Sequence, residues 1–252
     1  MLKHYNILSK IVLVFFIFSV YTIAASNPKS VLFDASHGQL FHPDKTGELD
    51  LSELSSLFHN TGWNVKICTT EINDEVLSEI DALIISGAFK PFKQSEIEAI
   101  IRFIEKGGKL SVMLHIGSPF ANLLHTLNVS ISNGVIHETD AIIQGNDINF
   151  NVQNLKKHEL FKKLNQFSVY GGWAMIPTDA NSQIIAQTSE TSWIDLNNDR
   201  KADAQQSFGT VIVGKKGDGH FVVFSDDAMF QNRFLKENNL ILAKNLVNWL
   251  KN

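Results

Sequence analysis

One cysteine in 252 residues excludes an internal disulfide, so stability has to come from a conventional buried core. That residue, Cys68, sits in an apolar strand pattern with Val65 and Ile67, which favours a buried structural thiol over a nucleophile. The chain also lacks an excess of positive charge. Its formal net charge is −4 and its lysines are scattered, which argues against nucleic acid as a partner. Beyond the first 25 residues no apolar run is long enough to span a bilayer. There are no internal repeats and no low-complexity linker. What is present is a hydrophobic content of 44%, enough for one sizeable core.

The N-terminus has the layout of a secretory signal peptide over residues 1–25. Lys3 and Lys10 give a positive start, Ile11–Val20 is apolar, and the small residues Ala24, Ala25 and Ser26 follow. An uncleaved anchor is the alternative, although Ile11–Ala25 is shorter than the ~20 residues of a spanning helix. No cysteine follows the run, which disfavours lipid attachment. Either way the remainder, residues 26–252, is expected outside the cytoplasm, periplasmic or secreted, touching a membrane only through an uncleaved signal sequence. Losing Lys3 and Lys10 takes the formal charge from −4 to −6.

Strand and helix signals alternate in the first half. Ser30–Asp34, Asn64–Cys68, Ala82–Ser86 and Lys109–Leu114 read as strands. Between them, Asp50–Asn60 reads as a helix capped by Asp50, and a short helix is expected around Asp74–Ile80. Ser95 and Glu98 suggest a capping box opening a helix whose Ile97, Ile100, Ile101 and Ile104 face inward, ended by Gly107–Gly108. Apolar strands separated by amphipathic helices predict a doubly wound, mostly parallel α/β sheet of flavodoxin-like type. Residues 120–210 differ: they are polar and alternating, and read as an antiparallel β insertion. The wound pattern returns with the strand His220–Ser225, the turn Asp226–Asp227 and a last helix, Asn239–Leu250.

Ligands of an open parallel sheet bind beyond the carboxyl ends of its strands. There the sequence places Asp34, Ser36 and His37 after the first strand, Gly87 after the third, His115 and Gly117 after the fourth, and Asp226 after the last. A carboxylate beside an imidazole can move protons near neutral pH, so Asp34, His37, His115 and Asp226 are candidates for ligand binding or catalysis. The alternative is that Asp34, Ser36 and Asp226 serve turn amides and that the glycines serve backbone geometry.

The stretches SVLFDASHGQ, ALIISG, FIEKGGKLSVMLHIG and GDGHFVVFSDDAMFQN resemble the class I glutamine-amidotransferase-like superfamily. Within it, the similarity is nearest to secreted or envelope domains related to the gliding-motility transport subunit and the intraflagellar-transport N-terminal domain. Trehalose-utilisation-like proteins are more distant. The resemblance spans most of residues 30–120 and 205–252. It implies a fold and not a reaction. Catalytic members carry a nucleophilic cysteine on the turn after the strand equivalent to Lys109–Leu114, with a histidine and an acidic partner further along. Here that turn is Leu114-His115-Ile116-Gly117, with no sulfur, and Cys68 lies on another strand. Ser118 is the nearby hydroxyl, before Pro119 and without an evident base. The resemblance therefore implies no glutaminase activity.

A second constellation is Asp195-Leu196-Asn197-Asn198-Asp199-Arg200-Lys201-Ala202-Asp203. Oxygen side chains at Asp195, Asn197, Asp199 and Asp203 match the start of a calcium loop, but Arg200 replaces the glycine and Gln206 the closing glutamate. Weak calcium binding or a solvated turn are the two readings. Tyr170-Gly171-Gly172-Trp173 is either an exposed stacking platform or a core tryptophan beside a turn, and the core reading is favoured. His137-Glu138 could reach over the rim from the insertion, whereas His42, His125 and His158 look like surface residues. Asn128-Val129-Ser130 is a glycosylation sequon, meaningful in a eukaryotic source. Together these features predict an exported, non-catalytic binding domain whose partner is a small polar ligand, a glycan or an envelope protein. A hydrolase or metal-assisted enzyme using the rim histidines and aspartates is the alternative.

Overall fold

The computed structural model describes residues 28–252, so the signal peptide expected over residues 1–25 lies outside the described residues. Strand β1 (Ser30–Asp34) is followed by helix α1 (Ser52–Asn60) and β2 (Asn64–Cys68). The one-turn α2 (Asp74–Leu77) leads to β3 (Ala82–Ser86), and α3 (Gln94–Glu105) to β4 (Lys109–Met113). After α4 (Ala121–Thr126) the chain is almost all strand: β5 (Val129–His137), β6 (Ile142–Ile143), β7 (Asn146–Val152), β8 (Asn154–Leu155) and β9 (Phe167–Tyr170). β10 (Trp173–Pro177), β11 (Ser182–Gln187), β12 (Trp193–Ile194), β13 (Ala204–Gln205) and β14 (Gly209–Lys216) continue it. β15 (Gly219–Phe224) and α5 (Glu237–Lys251) close the fold.

The result is a mixed sheet with few helices. Its parallel half runs β2-β1-β3-β4-β15. From β15 the order passes to the antiparallel strands β14, β10, β5, β12 and β13, with β11 on β14 and β8 on β11. A separate three-stranded sheet, β6-β7-β9, packs beside it. The strand-rich middle read from the sequence is thus an antiparallel continuation of the main sheet together with this small one.

Apolar alternation explains the layering. In β3, Ala82, Leu83, Ile84 and Ile85 are all fully buried, because helices cover both faces of a parallel sheet. Each of the larger three contributes roughly 1.5–3 kcal/mol relative to exposure. On one face Val31, Phe33, Ile84, Met113 and Phe224 meet α1 and α5; on the other Leu32, Leu83, Ile85, Val112 and Val223 meet α3 and α4.

Helix ends depart from the sequence reading in instructive ways. Asp50 does not cap α1: its carboxylate accepts from the backbone of His42 and Gly47, holding the loop before the helix. The amide of Glu53 is instead satisfied by Asn232, 179 positions later, a cap that no local pattern could reveal. Helix α3 starts at Gln94, and it is Glu96, not Glu98, that turns back to accept from the Lys93 amide at 2.9 Å. α5 buries Leu242, Ala243, Leu246, Val247 and Leu250, while Leu240 stays half-buried.

Candidate functional site

The polar residues at the carboxyl ends of the parallel strands form two separate clusters. The first follows β1, where the chain folds back tightly. Asp34 Oδ1 accepts from the amide and hydroxyl of Ser36, and its Oδ2 accepts from Gln39 Nε2 at 2.6 Å. His37 Nδ1 lies 2.8 Å from Asp34 Oδ2, and its Nε2 lies 3.2 Å from Glu96 Oε2. The ring stacks on Phe92 with centroids 3.9 Å apart. Glu96 uses its other oxygen on the amide of Ile72. A carboxylate at each nitrogen favours the doubly protonated form of the imidazole. Burial alone would lower the His37 pKa, and the hydrogen bonds and charges of Asp34 and Glu96 more than offset this and raise it.

His37 is only 4% exposed, so both its polar atoms and its ring are spent inside the protein. This corrects its assignment as a ligand-facing group, together with that of Asp34. The hydroxyl of Ser36 is 3.0 Å from His37 Nδ1 but donates to Asp34, and the same Nδ1 is engaged by Asp34 Oδ2, so no free base faces it. The cluster is a clamp that ties the β1 exit to the start of α3.

The second cluster lies where β4 and β15 end. Backbone pairing continues past both strands: the Leu114 amide donates to Phe224, and the Asp227 amide to Leu114. This sets His115 beside Asp227, with Nδ1 3.0 Å from Oδ1. The Asp227 side chain is fully buried, whereas that of His115 is 35% exposed. Phe41 and Phe89 flank the imidazole, each with its ring centroid 5.2 Å away. From behind, Trp173 Nε1 donates to the His115 carbonyl at 3.0 Å. Trp173 therefore braces the turn after β4, which agrees with a core role more than with a stacking platform.

His37 packs on Phe92, which belongs to the α3 face, and His115 packs on Phe41, which belongs to the α1 and α5 face. No side-chain hydrogen bond joins the two clusters among the described residues, although the Phe89 amide, beside His115, donates to the His37 carbonyl at 2.9 Å. Of the residues expected at one mouth, Asp34 and His37 therefore turn their side chains toward the α3 face, and His115 turns toward the face of Phe41.

Asp226 is the second correction. It does not meet either histidine; it accepts from the amides of Tyr170 and Ala228, joining the small sheet to the turn after β15. Burial and the neighbouring charge of Asp227 push its pKa up to about 8, against the pull of those two amides and of His115. Burial also pushes Asp227 upward, opposed by the hydrogen bond and charge of His115. The His115 pKa is raised by its hydrogen bond to Asp227, against the effect of burial, and by the charges of Asp227 and Asp226.

The glycines serve this second cluster sterically. Gly87 has φ +59, and a Cβ there would stand 2.5 Å from Asp227 Oδ2. A Cβ on Gly117 would meet Ile131 at 2.8 Å and Trp173 at 3.3 Å. Sequence reasoning missed Asp227, Glu96, Phe41 and Phe89. For Asp227 the signal was in view, a doublet after the last strand, but a turn breaks strand alternation and hides which carboxylate faces inward.

The calcium candidates are taken up by their own loop. Asp195 accepts from the amides of Asn197, Asn198 and Arg200, Asp199 from that of Lys201, and Asp203 from Leu196 and the Asn197 side chain. Among the described residues no three His, Cys, Asp or Glu side chains gather as a metal-binding group. The geometry of Asp195, Asn197, Asp199 and Asp203 is that of a self-bonded turn, which also explains Asn198 and Arg200 at positive φ. His137 bonds Asp147 at 2.9 Å and stacks on Trp193, while Glu138 is consumed by Ser189 and Thr139; both residues belong to the antiparallel half and not to the rim. Cys68 is buried, its thiol donating to the Thr70 carbonyl.

Comparison with known proteins bears on the fold. Residues 30–119 match the family model of the IFT52 GIFT domain. The structure also superimposes on the mmIFT52 N-terminal domain over 88% of this chain and 97% of that one, with TM-score 0.71 and 18% identity. The fold is shared with that domain. A ThuA-like protein from Bacteroides uniformis ATCC 8492 matches with TM-score 0.54 and 14% identity over 90% of this chain and 93% of its own. A cytoplasmic protein from Salmonella typhimurium LT2 matches with TM-score 0.53 and 13% identity over 88% and 99%. Curated protein sequences yield no match. The family match includes His37, Glu96 and His115 but ends before Asp227, so the dyad joins the matched segment to one outside it.

Proposed function

We propose that this chain is an exported, non-catalytic binding domain of the cell envelope, with a flavodoxin-like, class I glutamine-amidotransferase-like fold. Its binding residue is His115, at the rim of the parallel sheet. The observation that carries this reading is the His115–Asp227 dyad. It occupies the turn where the catalytic members of that superfamily place their cysteine. In place of a sulfur there is a one-third-exposed imidazole between two phenylalanines, fixed from behind by a buried carboxylate. Asp227 holds Nδ1, which leaves Nε2 as the polar atom available to a ligand. Leu40, 63% exposed and adjacent to Phe41, adds an apolar lip. A small polar ligand with an apolar part, a glycan or a loop of an envelope protein suits such a site.

A thermal-shift screen on the mature protein and on His115→Ala tests this. A ligand at 100 times its Kd stabilises by about 2.7 kcal/mol, which for a domain of this size is a rise of roughly 5–11 °C. Loss of the response in His115→Ala, with retention in Ser36→Ala, supports the assignment. A ligand that stabilises both variants alike refutes it.

The same dyad favours a second reading, a hydrolase or other enzyme in which His115 acts as a general base. An Asp-oriented imidazole is a competent proton acceptor, although no hydroxyl or thiol among the described residues hydrogen-bonds to it. Turnover that disappears in His115→Gln, with a bell-shaped pH profile, would establish that reading over the first.

A further inference from the structure

The opposite end of the parallel sheet holds a cleft of about 830 Å³, a volume typical of small-molecule sites. Its basic wall comes from the first residues of the strands. Lys109 opens β4 and His220 lies in register beside it on β15, while Lys29 immediately precedes β1. Trp249, half-buried on α5, stands beside this wall, its ring centroid 6.3 Å from that of His220, and the mostly buried Phe103 of α3 lines the cleft behind it. We propose that this cleft binds a small organic anion with a flat apolar body, of the aryl carboxylate or aryl phosphate class.

Placement, and not net charge, supports an anion, since Lys29, Lys106 and Lys109 are matched in number by Asp74, Asp81 and Asp218. Among the described residues, Lys29, Lys109 and His220 form no ion pair with a carboxylate. Of the lining carboxylates, Asp81 accepts from the Ser30 amide while its charge also favours the Lys109 cation, and Asp74 is paired with Arg102 at 2.7 Å. Asp218 and Lys106 are both exposed and opposite in sign. Lys29 is anchored by donating to the carbonyl of Lys251, which fixes its ammonium at the edge of the cleft. The basic groups also disfavour one another's charge. Burial, followed by the charge of Lys29, lowers the Lys109 pKa against the charge of Asp81, and burial with the charges of Lys109 and Lys215 lowers that of His220. An anion seated among them would relieve this repulsion and raise both values. The aromatic wall supplies the apolar contact that a bare inorganic ion would not use.

Isothermal titration of benzoate, phenyl phosphate, inorganic phosphate and the uncharged benzamide into the protein tests the proposal. Benzoate and phenyl phosphate should bind, with benzamide and inorganic phosphate at least about tenfold weaker, the equivalent of one charge-assisted or one apolar contact. Lys109→Met and the exposed-site variant His220→Gln should each weaken benzoate about tenfold, while Lys201→Met on the distant turn should not. In the wild type, the His220 imidazole should titrate at higher pH when benzoate is bound. Equal affinity for benzamide and benzoate, binding unchanged in Lys109→Met and His220→Gln, or no binding by either aryl anion would overturn the proposal. The outcome is independent of the His115 rim, which lies at the other end of the strands.

Discussion

Replacing His37 with alanine should be among the most damaging single changes in this fold. The substitution leaves Asp34 and Glu96 facing one another across a vacated ring, with side-chain exposures of 0% and 4%. Removing one partner of a buried, hydrogen-bonded ion cluster typically costs about 3–5 kcal/mol, a large part of the roughly 5–15 kcal/mol that holds a domain together. For a domain of this size that corresponds to a fall in Tm of about 6–20 °C. The cost should depend on pH with a definite sign. The folded-state pKa of His37 lies above its unfolded value of 6.5. Its contribution is therefore complete below 6.5 and fades as pH rises through the higher folded value. Urea denaturation of wild type and His37→Ala at pH 6 and at pH 9 should show the larger difference at pH 6. A difference below about 1 kcal/mol at pH 6, or one that grows toward pH 9, would refute the clamp.

Three further outcomes follow from the same geometry. Asp226 has a folded pKa of about 8 against an ordinary 3.8, so the folded state holds the extra proton and wild-type stability should fall from about pH 4 to pH 8. Asp226→Asn should lose that slope in a pH series of denaturant midpoints, while being less stable at pH 5, because one of the amides of Tyr170 and Ala228 then faces an NH₂ group. Gly87→Ala places a Cβ against Asp227 Oδ2 in a left-handed backbone, and should cost about 1–3 kcal/mol and alter the His115 titration seen by NMR. Asn232→Ala should cost about 0.5–2 kcal/mol and speed amide exchange at Glu53 in the first turn of α1, although the residue lies far along the chain.

The parallel half was legible because its strands are buried on both faces. Uninterrupted runs such as Ala82–Ser86 and the isoleucine stripe of α3 leave little choice of element, and wound order follows from handedness. The middle was legible as strand-rich but not in its pairing. Polar alternation in Val129–His137 marks a half-exposed strand without naming its neighbours, which prove to be β10 and β12. The rim was legible as a list of residues but not as two clusters. Asp34 and His115 both leave strands at the carboxyl end, yet strand parity sends one toward α3 and the other toward α5. Glu96 carried no distinguishing signal, since a glutamate in the first turn of a helix is ordinary capping chemistry and its second task requires the loop after β1 to close over it.

The division of labour between the two rim histidines can be read in one experiment, ¹⁵N-imidazole NMR of the protein with and without a ligand found by thermal shift. Ligand addition should move the His115 resonances and its titration midpoint, while those of His37 stay unmoved. If the His37 signals shift and those of His115 do not, the binding residue has been assigned to the wrong cluster.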